Sequence, residues 1–464
     1  MGRRRRSKLT LSSLSFVLSL AAQRGLPFLA LPMVSRLISQ SEYGLATLSV
    51  TLGMVLSVAM GLGISSAIPR IYNSNGSAAK DGIWVTLLFI QVAISFVIVI
   101  SCIALFGILR DSLSDDFNRF LVPTVLLALV SSLQLTLQGT AIARGASWQM
   151  LLATVVQLSV GLGMLPFFTA SHQGAGYAYA LTIASAGAIA VLMVMKYPHP
   201  TLVRTDIRGG LLLSIPFIGQ GIATWFLALF DRLVIGAVLG FAELGSYQVA
   251  YMLGSVLGMF LEGIQAAWAP QYYRSKRPEK SFLLRRTIRP SLVLAAAMVF
   301  TLFCLAPLLS PVIAPGYLID DSVVAIVALA AFPRALYFIS AAKLLENSRS
   351  VVIMSSTIAS GALTVVGTLV LIPRFGAIGG AIVTLAGFLL QAFIVSRVAF
   401  GWRWPMFIYS ILSPVLILLP LATFVSWISS THVEWRFILL SLGILLCVTS
   451  ALTLRRALGR MLSH

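Results

Sequence analysis

Apolar stretches of about 20 residues recur along this chain with only short polar breaks, and no other feature constrains its fold as strongly. A helix of that length crosses the ~30 Å hydrocarbon core of a bilayer and satisfies its own backbone hydrogen bonds where water is absent. Of 464 residues, 58% are hydrophobic and only 10% are charged, against roughly 25% charge in a soluble domain. With a mean hydropathy of +0.96, the chain has too little polar surface to face water. The expectation is an all-α polytopic membrane protein with almost no soluble part.

Charges, glycines and prolines divide the chain into about fourteen transmembrane helices. They lie near 10–37, 43–69, 82–109, 119–143, 148–169, 176–195, 210–238, 246–270, 289–313, 322–343, 350–372, 376–396, 405–428 and 435–454. Short polar turns make hairpins of the fifth and sixth spans, and of the eleventh and twelfth. The N-terminal Arg3–Lys8 run followed by an apolar stretch is signal-peptide-like. The stretch continues to Leu37, however, which suits a retained first helix.

Lysine and arginine in the loops set the orientation. With the N-terminus in the cytoplasm, 25 of the 33 basic residues fall on the cytoplasmic side, five on the other side and three inside spans. Asp111, Asp115, Asp116, Asp320 and Asp321 lean the opposite way. Both termini are therefore expected in the cytoplasm of a multi-pass protein. The net charge of +19 is not a nucleic-acid footprint, because the basic residues are scattered through short loops. Cys102, Cys304 and Cys447 all lie in apolar segments, and neither they nor the four histidines form a metal-ligand spacing. No phosphate-binding Walker loop occurs. No cofactor is expected.

The sequence repeats weakly. Glu42-Tyr43-Gly44 and Glu243-Leu244-Gly245 stand 201 residues apart, and Gly174-Ala175 and Gly376-Ala377 stand 202 apart. These offsets carry spans one to six onto spans seven to twelve in the same orientation, a parallel repeat about the membrane normal. The expected domains are an N-terminal lobe at 1–200, a second lobe at 201–400, and two additional spans at 401–464. A site between two such lobes near mid-membrane, opened alternately by rocking, is the consequence.

Charge at the bilayer centre costs at least about 2.5–3.5 kcal/mol, so each intramembrane ionisable residue is a candidate for function. Arg24, Arg232 and Arg334 lie inside spans, as do Asp231 and Glu262. Polar stripes accompany them: Ser12, Ser15, Ser19 and Gln23 in span one; Ser131, Gln134 and Gln138 in span four; Gln220 and Thr224 in span seven; Gln248, Tyr251, Ser255 and Gln265 in span eight. Such stripes equally serve as interhelical glue. Asp231 and Arg232 equally form a snorkelling pair, and Glu262 equally neutralises an arginine. Arginine keeps its charge when desolvated and matches phosphate oxygens through paired N–H donors. A cavity holding Arg24, Arg232 and Arg334 would suit an anionic cargo. Gln23, Gln134, Gln138, Gln220 and Gln265 would meet sugar hydroxyls, and Asp231 and Glu262 would couple an ion or pair the charges.

Three stretches resemble the polysaccharide-export branch of the multidrug/oligosaccharidyl-lipid/polysaccharide (MOP) transporter superfamily, the Wzx-type O-antigen flippases. They are Leu26-Pro27 through Ser35-Arg36-Leu37 and Glu42-Tyr43-Gly44; Ile215-Pro216 through Asp231-Arg232 and Glu243-Leu244-Gly245; and Leu371-Ile372-Pro373-Arg374-Phe375-Gly376-Ala377 through Ala381. Gly380 stands where the family more often has alanine. The resemblance implies translocation of undecaprenyl-pyrophosphate-linked oligosaccharide across the bacterial inner membrane, without catalysis. It also implies partners: a lipid-linked anionic glycan, membrane lipids and other glycan-assembly proteins, but no nucleic acid. A lipid II flippase shares the need for a cationic cavity. A drug/cation antiporter of the same superfamily needs acidic cavity residues, and the first lobe's spans contain none. A polysaccharide polymerase needs a large extramembrane loop that the spacing does not provide.

Overall fold

The computed structural model describes residues 28, 30–65, 68, 77–109, 115–144, 146–194, 207–274, 293–294, 296–299, 301, 312–347 and 349–401. Among these residues the regular elements are helices: α1 (Gln40–Gly61), α2 (Ser77–Leu109), α3 (Asp115–Ala143), α4 (Ser147–His172), α5 (Gly174–Met193), α6 (Ile207–Val238), α7 (Phe241–Arg274), α8 (Asp321–Leu329), α9 (Ala331–Glu346) and α10 (Ser350–Phe400). The chain is an all-α polytopic membrane protein: seven of the described helices, and α8 and α9 taken together as an eighth span, are long and apolar enough to cross a membrane. Predicted spans one, nine, thirteen and fourteen lie wholly or mostly outside the described residues, and Gln23 and Arg24 lie there too.

Local chemistry explains where the helices begin and end. Ser39 caps α1 by accepting the Glu42 N–H at 3.3 Å, while the Glu42 carboxylate accepts the Gly174 N–H at 3.0 Å. The helix is interrupted after Gly61, where Leu62 (φ 49°) and Gly63 (φ 65°) are left-handed, and Ile64, Ser65 and Ile68 are helical again within the predicted span to residue 69. The tenth predicted span is two helices, since α8 ends at Leu329 and α9 begins at Ala331. Pro333 has no N–H to continue the ladder across that junction. Spans eleven and twelve form the 51-residue α10, which reverses at Gly376 (φ 62°, ψ −145°).

That reversal makes the internal repeat visible in atoms. A Cβ on Gly379 would lie 2.5 Å from the Leu371 carbonyl oxygen, and one on Gly176 would lie 2.2 Å from that of Phe168. The left-handed turn residues are Gln173 (φ 51°) and Gly376 (φ 62°). All three correspondences share one register, which pairs Gln173 with Gly376 and Gly176 with Gly379. The sequence match of Gly174 with Gly376 is therefore one residue out. It followed the identity of the glycine, whereas the backbone places a glutamine at the first hairpin's left-handed position.

The described chain forms two compact units, Met1–Gly245 and Ser246–His464. In the first, α1 packs on α3, α5 and α6, and the α4–α5 hairpin packs on itself. Span seven (α6) thus belongs to this unit, although the sequence division at 200 assigns it to the second lobe. In the second unit, α8 and α9 pack against α10. There the backbones of α7 and α8 meet at Gly254, where a Cβ would lie 2.6 Å from the Val324 oxygen.

Burial in both units follows lipid rather than water. On α2, Phe89, Phe96, Ile100, Ile103 and Ile108 are exposed, while Gln91 and Ser95 are fully buried. Gln91 bridges to α3, its Nε2 donating to the Ser132 oxygen at 3.0 Å and its Oε1 accepting from Thr136 Oγ1 at 2.6 Å. On α10, Ser356, Ser360, Thr364 and Thr368 recur every fourth residue and are fully buried. Polar and small residues join the helices where an apolar tail gains nothing over lipid.

Candidate functional site

The polar side chains sort into a sealed group and an open one. In the first unit, Asp231 and Arg232 sit seven and six residues before the end of α6 and are 1% and 3% exposed. Arg232 folds back on its own helix. Its backbone N–H and its Nη1 both donate to Asp231 Oδ1, at 2.9 and 2.8 Å, and Nη1 also donates to the Ala228 oxygen at 2.9 Å. A pair so enclosed is neutral as a unit and offers no surface to a ligand. The expected contact between Arg232 and the cargo has no opening here. The snorkelling alternative also misplaces this pair, because both side chains are buried rather than reaching an interface.

The glutamines of the first unit divide in the same way. Gln134 is buried and donates through Nε2 to Gln157 Oε1 at 2.8 Å, while Gln157 Nε2 donates to Ser185 Oγ at 3.3 Å. This chain ties α3 to α4 and α5, which is the glue role. Gln138, one turn further on, is half-buried, as is Gln220 on α6, one turn before the exposed Thr224. The side chain of Gln265 lies outside the described residues.

The open group is in the second unit. Pro333 breaks the ladder between α8 and α9, and Arg334 follows it directly. Its Nη2 donates to Glu262 Oε1 on α7. The guanidinium carbon lies 5.0 Å from the Phe388 ring centre and 6.0 Å from that of Phe338. Gly258, one turn before Glu262, lies beside the guanidinium: a Cβ there would sit 3.5 Å from Arg334 Nη1, in ordinary contact. One turn beyond Arg334, the Tyr337 hydroxyl is hydrogen-bonded to Thr357. Thr357 Oγ1 in turn accepts from Gln391 Nε2 at 2.9 Å.

Exposure separates the partners of the ion pair. The Arg334 side chain is 30% exposed and that of Glu262 only 6%. The carboxylate is the more enclosed partner, so the accessible part of the pair is the guanidinium with its N–H donors, lying over an aromatic ring. Chemically, such an arrangement can receive a hydrogen-bond acceptor of negative charge, such as a phosphate or carboxylate oxygen. Arg334 and Glu262 were legible as isolated intramembrane charges, but Phe388, Tyr337, Thr357 and Gln391 were not. Phe388 is one of 26 phenylalanines, and nothing in its neighbours marks it. If the ring holds the guanidinium, Phe388→Leu lowers cargo affinity about 2- to 30-fold, the equivalent of ~0.5–2 kcal/mol, while Phe388→Tyr leaves it near wild type. Cargo titration with purified protein reads both.

The model of the family described as polysaccharide biosynthesis protein matches residues 10–276. Among curated proteins, none matches the chain in sequence. Among solved structures, the lipid II flippase MurJ in an inward closed conformation superposes with a TM-score of 0.68 at 13% identity, covering 97% of this chain and 99% of that one. An inward-facing multidrug resistance MATE transporter of the MOP superfamily gives 0.58 at 16% identity, covering 86% and 95%. A MOP superfamily transporter from Pyrococcus furiosus gives 0.60 at 16% identity, covering 86% and 96%. At such identities these likenesses establish the fold, while the family model spans more than half of the chain. The protein belongs to the polysaccharide biosynthesis protein family and has the fold of the MOP-superfamily transporters.

Proposed function

We propose that this protein is a flippase for an undecaprenyl-pyrophosphate-linked oligosaccharide, an O-antigen or exopolysaccharide repeat unit. It would carry its cargo from the inner to the outer leaflet of the bacterial inner membrane, with both termini in the cytoplasm. The observation that carries this reading is Arg334, a guanidinium within a candidate span that is partly exposed while its counter-ion Glu262 is buried. A pyrophosphate headgroup fits that chemistry through paired N–H···O bonds. Arg24 is retained as a second contact from the sequence, with Gln23, Gln138, Gln220 and Gln265 as partners for sugar hydroxyls. Arg232 serves instead as the internal partner of Asp231.

Deleting the gene and analysing the lipid-linked saccharides tests the reading. Complete repeat units accumulating on the cytoplasmic face support it. Unpolymerised units reaching the outer face would instead indicate a polymerase, and an unchanged saccharide pool would count against both. Lipid II is the second reading, favoured by the superposition on the lipid II flippase over nearly the whole length of both chains. Rescue of cells depleted of their own lipid II flippase would select it.

A further inference from the structure

Aromatic residues gather around Arg334, and they are not equivalent. Phe388 is 6% exposed, with its ring centre 5.0 Å from the guanidinium carbon, so its surface is spent on the cation. The Tyr337 hydroxyl is committed to Thr357. Phe338 and Tyr251, by contrast, are half-buried and keep part of their surface open. The Phe338 ring centre lies 6.0 Å from the guanidinium carbon. Tyr251 stands on the face of α7 that carries Ser255, Gly258 and Glu262 at helical spacing, and it interacts electrostatically with Arg334. Each of these two rings is braced by another. Tyr247, only 1% exposed, packs 6.0 Å from Tyr251 at 49°, and Tyr337 packs 5.4 Å from Phe338 at 56°.

Rings that face acyl chains look different. Phe89 and Phe96 on α2 are 62% and 58% exposed, whereas Phe338 and Tyr251 are half-enclosed beside an ion pair. A ring in that position offers a flat apolar surface next to donors for an anion. A sugar joined to a pyrophosphate presents the matching pair, a face of C–H groups linked through one oxygen to the phosphate. From Tyr251 to Gly258, α7 covers about 10 Å at 1.5 Å per residue, comparable with a phosphate and the sugar it carries. Aromatic walls supply affinity in such sites, while a few polar groups fix orientation. We infer that Tyr251 and Phe338 form a stacking subsite for the first sugar of the cargo, the one joined to the pyrophosphate, beside the Arg334 guanidinium. The sugar and its headgroup belong to the cargo proposed above, on which this subsite rests. Arg334 then reads the headgroup and the two rings read the glycan, so that loaded lipid is held more tightly than the bare carrier.

The test measures binding to the purified full chain in nanodiscs. The probes are undecaprenyl pyrophosphate and the same lipid carrying a single glucose or a single galactose, both of which present a face of C–H groups. Bare lipid reads the anion contact, and the ratio of glycosylated to bare affinity reads the sugar. The wild-type protein is expected to prefer the better glycosylated lipid about 3- to 10-fold. Tyr251→Leu and Phe338→Leu should each remove most of that preference while leaving the affinity for bare lipid unchanged. Tyr251→Phe and Phe338→Tyr keep a ring and should retain the preference. Arg334→Lys should weaken bare and glycosylated lipid alike and leave the ratio as it is. Equal affinity of the wild-type protein for bare and glycosylated lipid overturns the subsite. So does an equal loss of both affinities in the leucine variants, or loss of the preference in the variants that keep a ring. Each of those results leaves the carrier reading standing, because the lipid pyrophosphate still binds to the wild-type protein. Binding of none of the three lipids by the wild-type protein overturns the cargo reading, and the subsite with it.

Discussion

Replacing Arg334 with alanine is expected to abolish export and also to destabilise the inserted protein. The stability loss has a separate origin from the transport loss. Glu262 is only 6% exposed and was packed as the anion of this pair, so truncating the arginine removes its cation while leaving the carboxylate buried. Breaking a buried pair costs roughly 3–5 kcal/mol. Because the arginine end is 30% exposed, a loss nearer ~2–4 kcal/mol is expected here. Adding Glu262→Gln to Arg334→Ala removes the orphaned charge and should recover most of the stability without recovering export. Arg334→Lys keeps the charge but not the planar fork that lies over Phe388, so it should retain partial export. Thermal unfolding in detergent, read beside export in cells, separates the two effects. Equal loss of stability in the single and double variants would show that the pair is not what holds this region.

The second large effect falls on the paired hairpins. Gly176→Val and Gly379→Val each place side-chain atoms within van der Waals contact of backbone: the added Cβ would lie 2.2 Å from the Phe168 oxygen in one hairpin and 2.5 Å from the Leu371 oxygen in the other. Neither carbonyl can move without opening its helix. Each variant is therefore expected to lose nearly all folded protein, because the helices on either side can no longer close the turn. Gly163→Ala is the contrast. Nothing lies within 4 Å of a Cβ there, and alanine favours a helix over glycine by up to ~1 kcal/mol. Folded yield after detergent extraction checks all three. Normal yield from either valine variant would remove the close approach on which the repeat register rests.

The fold was largely legible because lipid leaves a coarse imprint, in which apolar length alone marks a spanning helix. What escaped depended on finer geometry. The break at Leu62 lies between Gly61 and Gly63, two glycines that the apolar run on either side concealed. The division of the tenth span was written in Pro333, and the proline was read as a neighbour of Arg334 rather than as a helix break. The repeat was found through its glycines but placed one residue out, because Gln173 takes the left-handed position that Gly376 takes in the second hairpin.

The candidate site was legible in its charges and opaque in its surroundings. Burial cost singles out Arg232 and Arg334 equally in a sequence. Only the fold separates them, by wrapping Arg232 onto Asp231 and Ala228 while leaving Arg334 partly exposed beside the buried Glu262. Gln134 was drawn as a cargo contact because a helical stripe looks the same whether it faces a cavity or a neighbouring helix. Its bond to Gln157 assigns it to the latter.

The most direct test of the account is leaflet exchange in proteoliposomes holding the purified protein and a fluorescent undecaprenyl-pyrophosphate oligosaccharide. An impermeant quencher added outside reads how much of the lipid has crossed. Vesicles with the wild-type protein are expected to exchange the lipid well above protein-free vesicles. Those with Arg334→Ala/Glu262→Gln should match protein-free vesicles despite a stable fold. Exchange by this double variant at the wild-type rate, or none by the wild-type protein, would contradict the account.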